Sequence, residues 1–363
     1  MNHGDEMNYQ RLRPLLFLLP PEMAHHLAIL AMKFMPPTSV ASDPGLATQL
    51  AGLHLPNPIG LAAGFDKNAD IPRAMFAAGF GFVEVGTVTP LPQAGNPKPR
   101  VFRLVEDEAI INRLGFNGRG MEYVVRKLAD EPLGHGANSK PGQLGVNIGA
   151  NKDSTDRSAD YRKGARRFLP LCDYLTINIS SPNTKGLRDL QQGNELQHLL
   201  GQVLDERRMW HEESGRWVPV FVKLAPDLEE GPLYEALAQL VATGADGVIL
   251  TNTTIDRPHL LRAQDAKQAG GLSGKPLAVR SRIILEQAVG MLKGRLPIIS
   301  VGGVHDGQEV HDRLTMGATA VQCYTNMVYR GPRAPSLMAD ELRACMDQAG
   351  QQSLSDIKKS WDV

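Results

Sequence analysis

From residue 58 onward the chain repeats one rhythm. A short apolar run rich in β-branched and aromatic residues ends on Gly, Asn, Thr or Ser, and a longer stretch with apolar residues at helical spacing follows. That alternation is the pattern of βα units feeding a parallel sheet. Eight runs fit, at 58–64, 80–89, 144–149, 174–180, 219–225, 247–253, 297–304 and 320–325, with amphipathic stretches such as 194–210 and 233–242 between them. Eight units in about 290 residues predict an α/β fold of the closed (β/α)₈ TIM-barrel kind. An open doubly wound sheet would carry a G-x-G-x-x-G turn after its first strand, and none occurs.

Two segments break the rhythm. Val101-Phe102-Arg103-Leu104 and Ala109-Ile110-Ile111-Asn112, separated by Glu106-Asp107-Glu108, read as a β-hairpin inserted over the barrel mouth, a lid or substrate wall. At 9–35, Pro21 suits a first helical position, and Met23, Leu27, Leu30 and Phe34 then share one face with Lys33 off it. With Leu15-Leu16-Phe17-Leu18-Leu19 before it, this makes a two-helix amphipathic cap. The expected division is 1–45 as an N-terminal helical extension, 46–349 as the barrel and 350–363 as a C-terminal tail.

Composition narrows the options. The 363 residues are 42% hydrophobic, enough for a full core. Lys plus Arg and Asp plus Glu both number 39, so no basic footprint for nucleic acid exists. The three cysteines, Cys172, Cys323 and Cys345, are scattered and form no CxxC pair, which argues against a disulfide framework or structural zinc and suits a reducing compartment. The run at Leu15 is far shorter than the roughly 20 apolar residues of a spanning helix. Asp5 and Glu6 ahead of it do not fit a secretory signal.

In such barrels the chemistry belongs at the C-terminal ends of the strands, and the unusual polar residues gather there. Lys223 stands inside Val220-Phe221-Val222-Lys223-Leu224-Ala225, where a lysine is excluded unless something anionic answers it. Its bland reading is a strand-end side chain snorkelling to solvent; its functional reading is a cation facing a cofactor whose reduced form is negative, such as a flavin. Gly271-Leu272-Ser273-Gly274 and Gly302-Gly303 fall where barrels hold a phosphate, though glycines also make ordinary turns. Asn178-Ile179-Ser180-Ser181-Pro182-Asn183-Thr184 would pass in isolation as a solvated turn. No His or Glu at the strand ends offers itself as a base, no cluster has metal-ligand spacing, and a serine without histidine is a poor hydrolase nucleophile.

Taken together, Ala62-Ala63-Gly64-Phe65-Asp66-Lys67-Asn68, Asn112-Arg113-Leu114-Gly115-Phe116-Asn117, the Asn178 segment and Val301-Gly302-Gly303 closely resemble the dihydroorotate dehydrogenases, over residues 9–344. The resemblance implies FMN-dependent oxidation of (S)-dihydroorotate to orotate in de novo pyrimidine (UMP) synthesis. Carried over position by position, it implies that Ala62, Ala63, Gly64, Phe65, Asp66, Thr87, Asn147, Asn178, Lys223, Thr251, Gly274, Gly303, Tyr324 and Thr325 hold FMN. Lys67, Asn112, Arg113, Leu114, Gly115, Phe116, Asn178, Asn183, Asn252 and Thr253 would hold the substrate, the amides meeting its imide edge and Lys67 its carboxylate. Ser181 matches the position of the catalytic base, with Thr184 and a water near Phe116 as a proton route.

Serine at that position goes with the membrane-associated, quinone-using class of the family; cysteine marks the soluble classes. The implied partners are therefore dihydroorotate or orotate, a membrane quinone reached through the N-terminal cap, and lipid met peripherally on the cytoplasmic side of the inner membrane by a monomer. Two residues depart from the family pattern: Asn326, where glycine is common, and Cys323, in place of a larger aliphatic residue. Residues 1–6 precede the usual start, which makes Met7 a candidate first residue. Two other readings stay open: a soluble fumarate- or NAD-linked dehydrogenase of the same family, and a non-catalytic barrel at a membrane surface.

Overall fold

Each of the eight apolar runs forms a parallel strand, shorter than the run itself because the polar and glycine residues at its end turn into loop. In the computed structural model, which describes residues 3–34, 43–130, 141–191, 193–258 and 261–359, the barrel strands are β1 (Ile59–Leu61), β2 (Phe82–Val88), β3 (Gln143–Ile148) and β4 (Tyr174–Asn178). They continue as β5 (Val220–Leu224), β6 (Gly247–Leu250), β7 (Ile298–Val301) and β8 (Ala320–Cys323). Each pairs with its neighbours in chain order, and β8 returns to β1 with Val321 opposite Ile59 and Cys323 opposite Leu61, so no edge is left open. Every residue of β2, β4 and β5 is buried, since a strand between the lumen and a shell of helices has no wet face. The barrel predicted from the chain's rhythm is the barrel found.

The bottom of the barrel holds an element the pattern did not announce. Thr48–Leu50 and Leu53–Leu55 form an antiparallel hairpin around Ala51-Gly52, both at positive φ, as a two-residue turn requires. Its Leu50 and Leu55, fully buried, pack with Phe82, Tyr174, Phe221 and Ile299 and close that end.

At the opposite end, the hairpin Val101–Leu104 with Ala109–Asn112 forms as expected, and a third strand, Gly271–Gly274, pairs antiparallel with Ala109–Asn112. The glycines of that segment thus lie in a strand and not in a turn. They permit a crowded approach: a Cβ on Gly271 would fall 1.9 Å from Thr253 Oγ1, and one on Gly274 2.4 Å from the Glu108 carbonyl oxygen.

Helices α1 (His3–Phe17) and α2 (Pro21–Lys33) sit at this same upper end. Tyr9 Oη donates to the Val328 carbonyl at 2.8 Å, Arg13 to that of Tyr329 at 3.0 Å, and the Phe17 ring meets Tyr329 edge-on. From α2, Glu22 pairs with Arg100 at 2.8 Å and Lys33 with Asp70 at 2.9 Å. The cap is therefore not packed beneath the barrel. Of the sixteen exposed large apolar side chains among the described residues, eight lie between Leu12 and Phe34. No described helix is long and apolar enough to cross a membrane. Near the C-terminus, the helix Leu354–Lys359 buries Leu354 and Ile357 against the barrel's shell.

Candidate active site

Between the strand ends and the three-stranded lid lies a pocket open to solvent at its mouth. The loop after β1 brings Ala62, Ala63, Gly64 and Lys67 to its wall, and β2 contributes Thr87. Asn178, Ser181 and Asn183 arrive from the end of β4, Lys223 from β5, and Thr251, Asn252 and Thr253 from the end of β6. Gly274, Gly303, Tyr324 and Thr325 close the far side, while Asn112, Leu114, Gly115 and Phe116 descend from the lid. Residues more than 260 positions apart in the chain thus meet at one cavity.

Four of the residues assigned from the sequence to the FMN and substrate sites stand behind the wall instead. The Phe65 ring is wedged between His25 (5.1 Å) and Tyr324 (5.4 Å), nearly perpendicular to both. The Asp66 carboxylate accepts the backbone N–H groups of Asn68 (3.3 Å), Asp70 (2.8 Å) and Ile71 (2.8 Å), fixing the turn that presents Lys67. Asn147 lies under Thr87, whose hydroxyl donates to its Oδ1 at 2.6 Å. Arg113 turns outward, bonding Gln268 Oε1 (3.0 Å) and the Pro99 carbonyl (2.8 Å) and stacking over Phe102. Thr184 is buried but does not line the pocket.

Other wall residues were not anticipated. Ser273 and Gln322 line the cavity, and Ser273 Oγ shares a 2.9 Å hydrogen bond with Thr325 Oγ1 that ties lid to barrel. Glu84 on β2, fully buried in the lumen beneath the pocket, was also missed, although a charge inside Phe82-Val83-Glu84-Val85 is the same signal that exposed Lys223. Asn326, one of the two departures from the family pattern, is buried and donates to Met338 Sδ at 2.7 Å.

Among the described residues no carboxylate or imidazole lines the pocket; its charges are the ammonium groups of Lys67 and Lys223. Protein surrounds the Lys67 ammonium, although part of the side chain is reached through the cavity. Burial pushes its pKa down to about 8, against the pull of Glu22 and Asp66. Burial lowers Lys223 as well, with Glu84 opposing it. His25, at the inner side of the cap, is pushed down to about 3 by burial, helped by Lys67 and His26, so it stays neutral in ordinary buffers. Burial lifts the Cys323 thiol to about 12, which leaves it an inert wall atom.

Ser181 is 6% exposed, and its Oγ accepts the backbone N–H of Asn183 at 3.2 Å. Across the pocket, Gly302 and Gly303 adopt φ of +110° and +78°, and a Cβ on Gly303 would lie 2.4 Å from backbone atoms of Ala278, where the helix Ala278–Leu292 begins. Bare backbone at a helix N-terminus is a phosphate cradle by its chemistry. A phosphate-bearing planar cofactor with acceptor atoms therefore fits the donor set present: the cradle at one side, and Lys223 with the amides beneath.

Comparison with known proteins agrees with this geometry. The family model described as dihydroorotate dehydrogenase matches residues 45–346. A relative from Allorhizobium ampelinum named dihydroorotate dehydrogenase (quinone) is 49% identical over 350 residues, covering 96% of this chain and 95% of the relative. One of the same name from Rhizobium etli is 48% identical over 355 residues, covering 97% and 96%. Among solved structures, the DHODH of Eimeria tenella in complex with ferulenol superposes with a TM-score of 0.88 at 42% identity, covering 93% of this chain and 94% of that one. Matched across the whole barrel by the family model and nearly half identical end to end to such relatives, this chain belongs to the dihydroorotate dehydrogenase family of oxidoreductases.

Proposed function

We propose that this protein oxidises (S)-dihydroorotate to orotate for de novo pyrimidine (UMP) synthesis, with FMN as its cofactor and a membrane quinone as electron acceptor. The observation that carries the reading is the convergence of Ser181, Lys67 and the amides of Asn112, Asn178, Asn183 and Asn252 on one pocket that also contains a phosphate cradle. FMN, when bound, supplies the acceptor for the hydride leaving C6 of the substrate and a store for the two electrons.

The remaining work falls to side chains. Lys67 pairs with the substrate carboxylate, and the amides meet the imide edge with donors and acceptors in fixed places. Ser181 Oγ takes the C5 proton as its own hydroxyl proton passes outward through Thr184 and a water near Phe116; the Asn183 N–H on its Oγ holds the charge that grows there during the transfer. Lys223 faces the negative charge of the reduced cofactor. The lid, tied down by the Ser273–Thr325 contact, keeps water from the reacting atoms.

The cap supports quinone as the acceptor: eight exposed apolar side chains cluster on its two helices and the residues that end them, and its inner face meets Phe65 through His25. On this reading 1–45 is the membrane and quinone-access unit, 46–349 the FMN barrel and 350–363 a tail. The protein rests as a monomer on the cytoplasmic face of the inner membrane without crossing it. The test is optical. Purified protein should be yellow, lose its flavin absorbance on adding dihydroorotate without air, and regain it with a quinone; recovery with fumarate or NAD alone would assign it to a soluble class, and a colourless protein would remove the reading.

A further inference from the structure

Glu84 accepts three hydrogen bonds inside the barrel: from Asn147 Nδ2 on β3 (2.8 Å), Thr176 Oγ1 on β4 (3.0 Å) and Gln322 Nε2 on β8 (3.0 Å). A carboxylate has acceptors only, so every partner must turn a hydrogen toward it. At Asn147 this fixes the amide, nitrogen toward Glu84 and oxygen toward Thr87, whose hydroxyl donates to it at 2.6 Å. With its single hydrogen spent, the Thr87 hydroxyl can only accept, and it takes Asn178 Nδ2 at 2.8 Å. Asn178 Oδ1 is thereby turned to Ser180 Oγ (2.9 Å) and Asn252 Nδ2 (3.3 Å), and Asn252 Oδ1 accepts the Thr253 backbone N–H at 2.8 Å. The row runs in one direction from a buried charge to three residues of the pocket wall, Thr87, Asn178 and Asn252.

We propose that Glu84 is a positioning residue that anchors the barrel end of this row against the backbone donors at its pocket end, and so holds Asn178 and Asn252 to the edges a bound ligand meets. Amides and hydroxyls are reversible partners, so the sense of the row is set at its ends: by the acceptor-only carboxylate of Glu84 at one, and at the other by the backbone N–H groups of Ser180 and Thr253, which only donate, to Asn178 Oδ1 (3.3 Å) and Asn252 Oδ1 (2.8 Å). A glutamine at 84 has the same shape but can donate as well as accept, so wherever its N–H turns toward Asn147 the two ends of the row oppose each other, and a mispaired link loosens the amides that face the ligand.

The inference rests on reading the pocket as a flavin and dihydroorotate site, and the test separates the two. In flavin-loaded wild-type protein, orotate is titrated through its perturbation of the flavin spectrum; no flavin, or no perturbation, is a failure of that reading and not of Glu84's role. Given a wild-type signal, Glu84→Gln and Thr87→Val are each expected to weaken orotate about tenfold or more, the cost of mispaired buried polar groups. The double variant should be no worse than the weaker-binding single, because Thr87→Val has already cut the row. Wild-type affinity in Glu84→Gln, or losses that multiply in the double variant, would overturn the proposal. Should Glu84→Gln fail to fold, Asn147→Leu, which cuts the first link, is compared with Thr176→Val, which removes a Glu84 donor outside the row. The former should lose tenfold or more and the latter no more than about threefold; equal losses would reduce Glu84 to a structural role.

Discussion

Arg100 grips one oxygen of Glu22 with two nitrogens, Nε at 3.1 Å and Nη2 at 2.8 Å, while its Nη1 holds the carbonyls of Ala94 (2.6 Å) and Asn96 (2.9 Å). The pair joins α2 to the root of the lid. Burial alone would raise the Glu22 carboxyl, but the hydrogen bonds and charge of Arg100, with Lys98 and His26, hold it below its ordinary 4.5. A depressed carboxylate contributes fully above its unfolded pKa and loses that contribution as pH falls through the folded one. Cap docking should therefore weaken only below the usual carboxylate range. In limited proteolysis of the cap against pH, wild type should show this acid step, and Glu22→Gln should be cut at all pH values; identical profiles would refute the coupling.

Ser181→Ala should keep its flavin, because the hydroxyl lies away from the phosphate cradle. Flavin reduction by dihydroorotate should slow by roughly 10²- to 10⁴-fold, the usual contribution of a positioned base. Stopped-flow reduction without oxygen measures it directly, and a near-normal rate would remove Ser181 from the chemistry.

Lys67, with its pKa near 8, is faced by Glu22, Asp66 and Arg100. Only the protonated ammonium pairs with the substrate's carboxylate. Orotate affinity should be flat below that pKa and then weaken by about tenfold per pH unit above it. Lys67→Gln should bind weakly with no such break, and a break that persists in that variant would point to another group.

Gly303→Ala forces a Cβ to within 2.4 Å of the Ala278 backbone at a residue whose φ is +78°. A strained substitution of this kind costs about 1–3 kcal/mol, and here the strain falls on the cradle. The expected result is a folded barrel that sheds flavin during gel filtration, with FMN affinity down by about tenfold or more. Retention of a full complement of FMN would place the phosphate elsewhere.

Leu18 and Phe34, 80% and 81% exposed, are the most accessible of the cap's apolar side chains. Leu18→Asp with Phe34→Asp should abolish co-sedimentation with vesicles while leaving reduction of flavin by dihydroorotate unchanged, since neither residue reaches the pocket. Undiminished vesicle binding would move the membrane contact to another surface.

The barrel was legible because its signal is long and repeated: eight apolar runs, each closed by polar residues, have few other solutions. The hairpin at Thr48 escaped notice because three-residue strands are too short to show alternation. The third lid strand escaped because Gly271 and Gly274 read as turn residues, and only the contacts with Ala109 and Asn112 make them a strand. At the pocket, loop residues next to one another point in different directions. Asp66 and Lys67 are consecutive, yet one braces the turn from behind while the other enters the cavity, a distinction that backbone geometry alone makes. Ser181 carried no signal of its own: in isolation its segment is a turn, its place among the polar strand ends marks the segment as a site, and only the resemblance picks out the serine within it.

The cap's position matters for anyone who would trim this enzyme into a more soluble reagent. Removing α1 and α2 deletes the exposed leucines, but it also takes Glu22 from the surroundings of Lys67 and leaves Asp70 without its partner Lys33. It strips His25 from the face of Phe65 as well. Burial is the largest influence lowering Lys67 and Glu22 the largest raising it, so stripping the cap changes both at once and moves the pH range over which Lys67 stays charged. Truncation here is thus a retuning of the substrate pocket, and a milder redesign would replace the outward leucines one by one and keep Glu22, His25 and Lys33 in place.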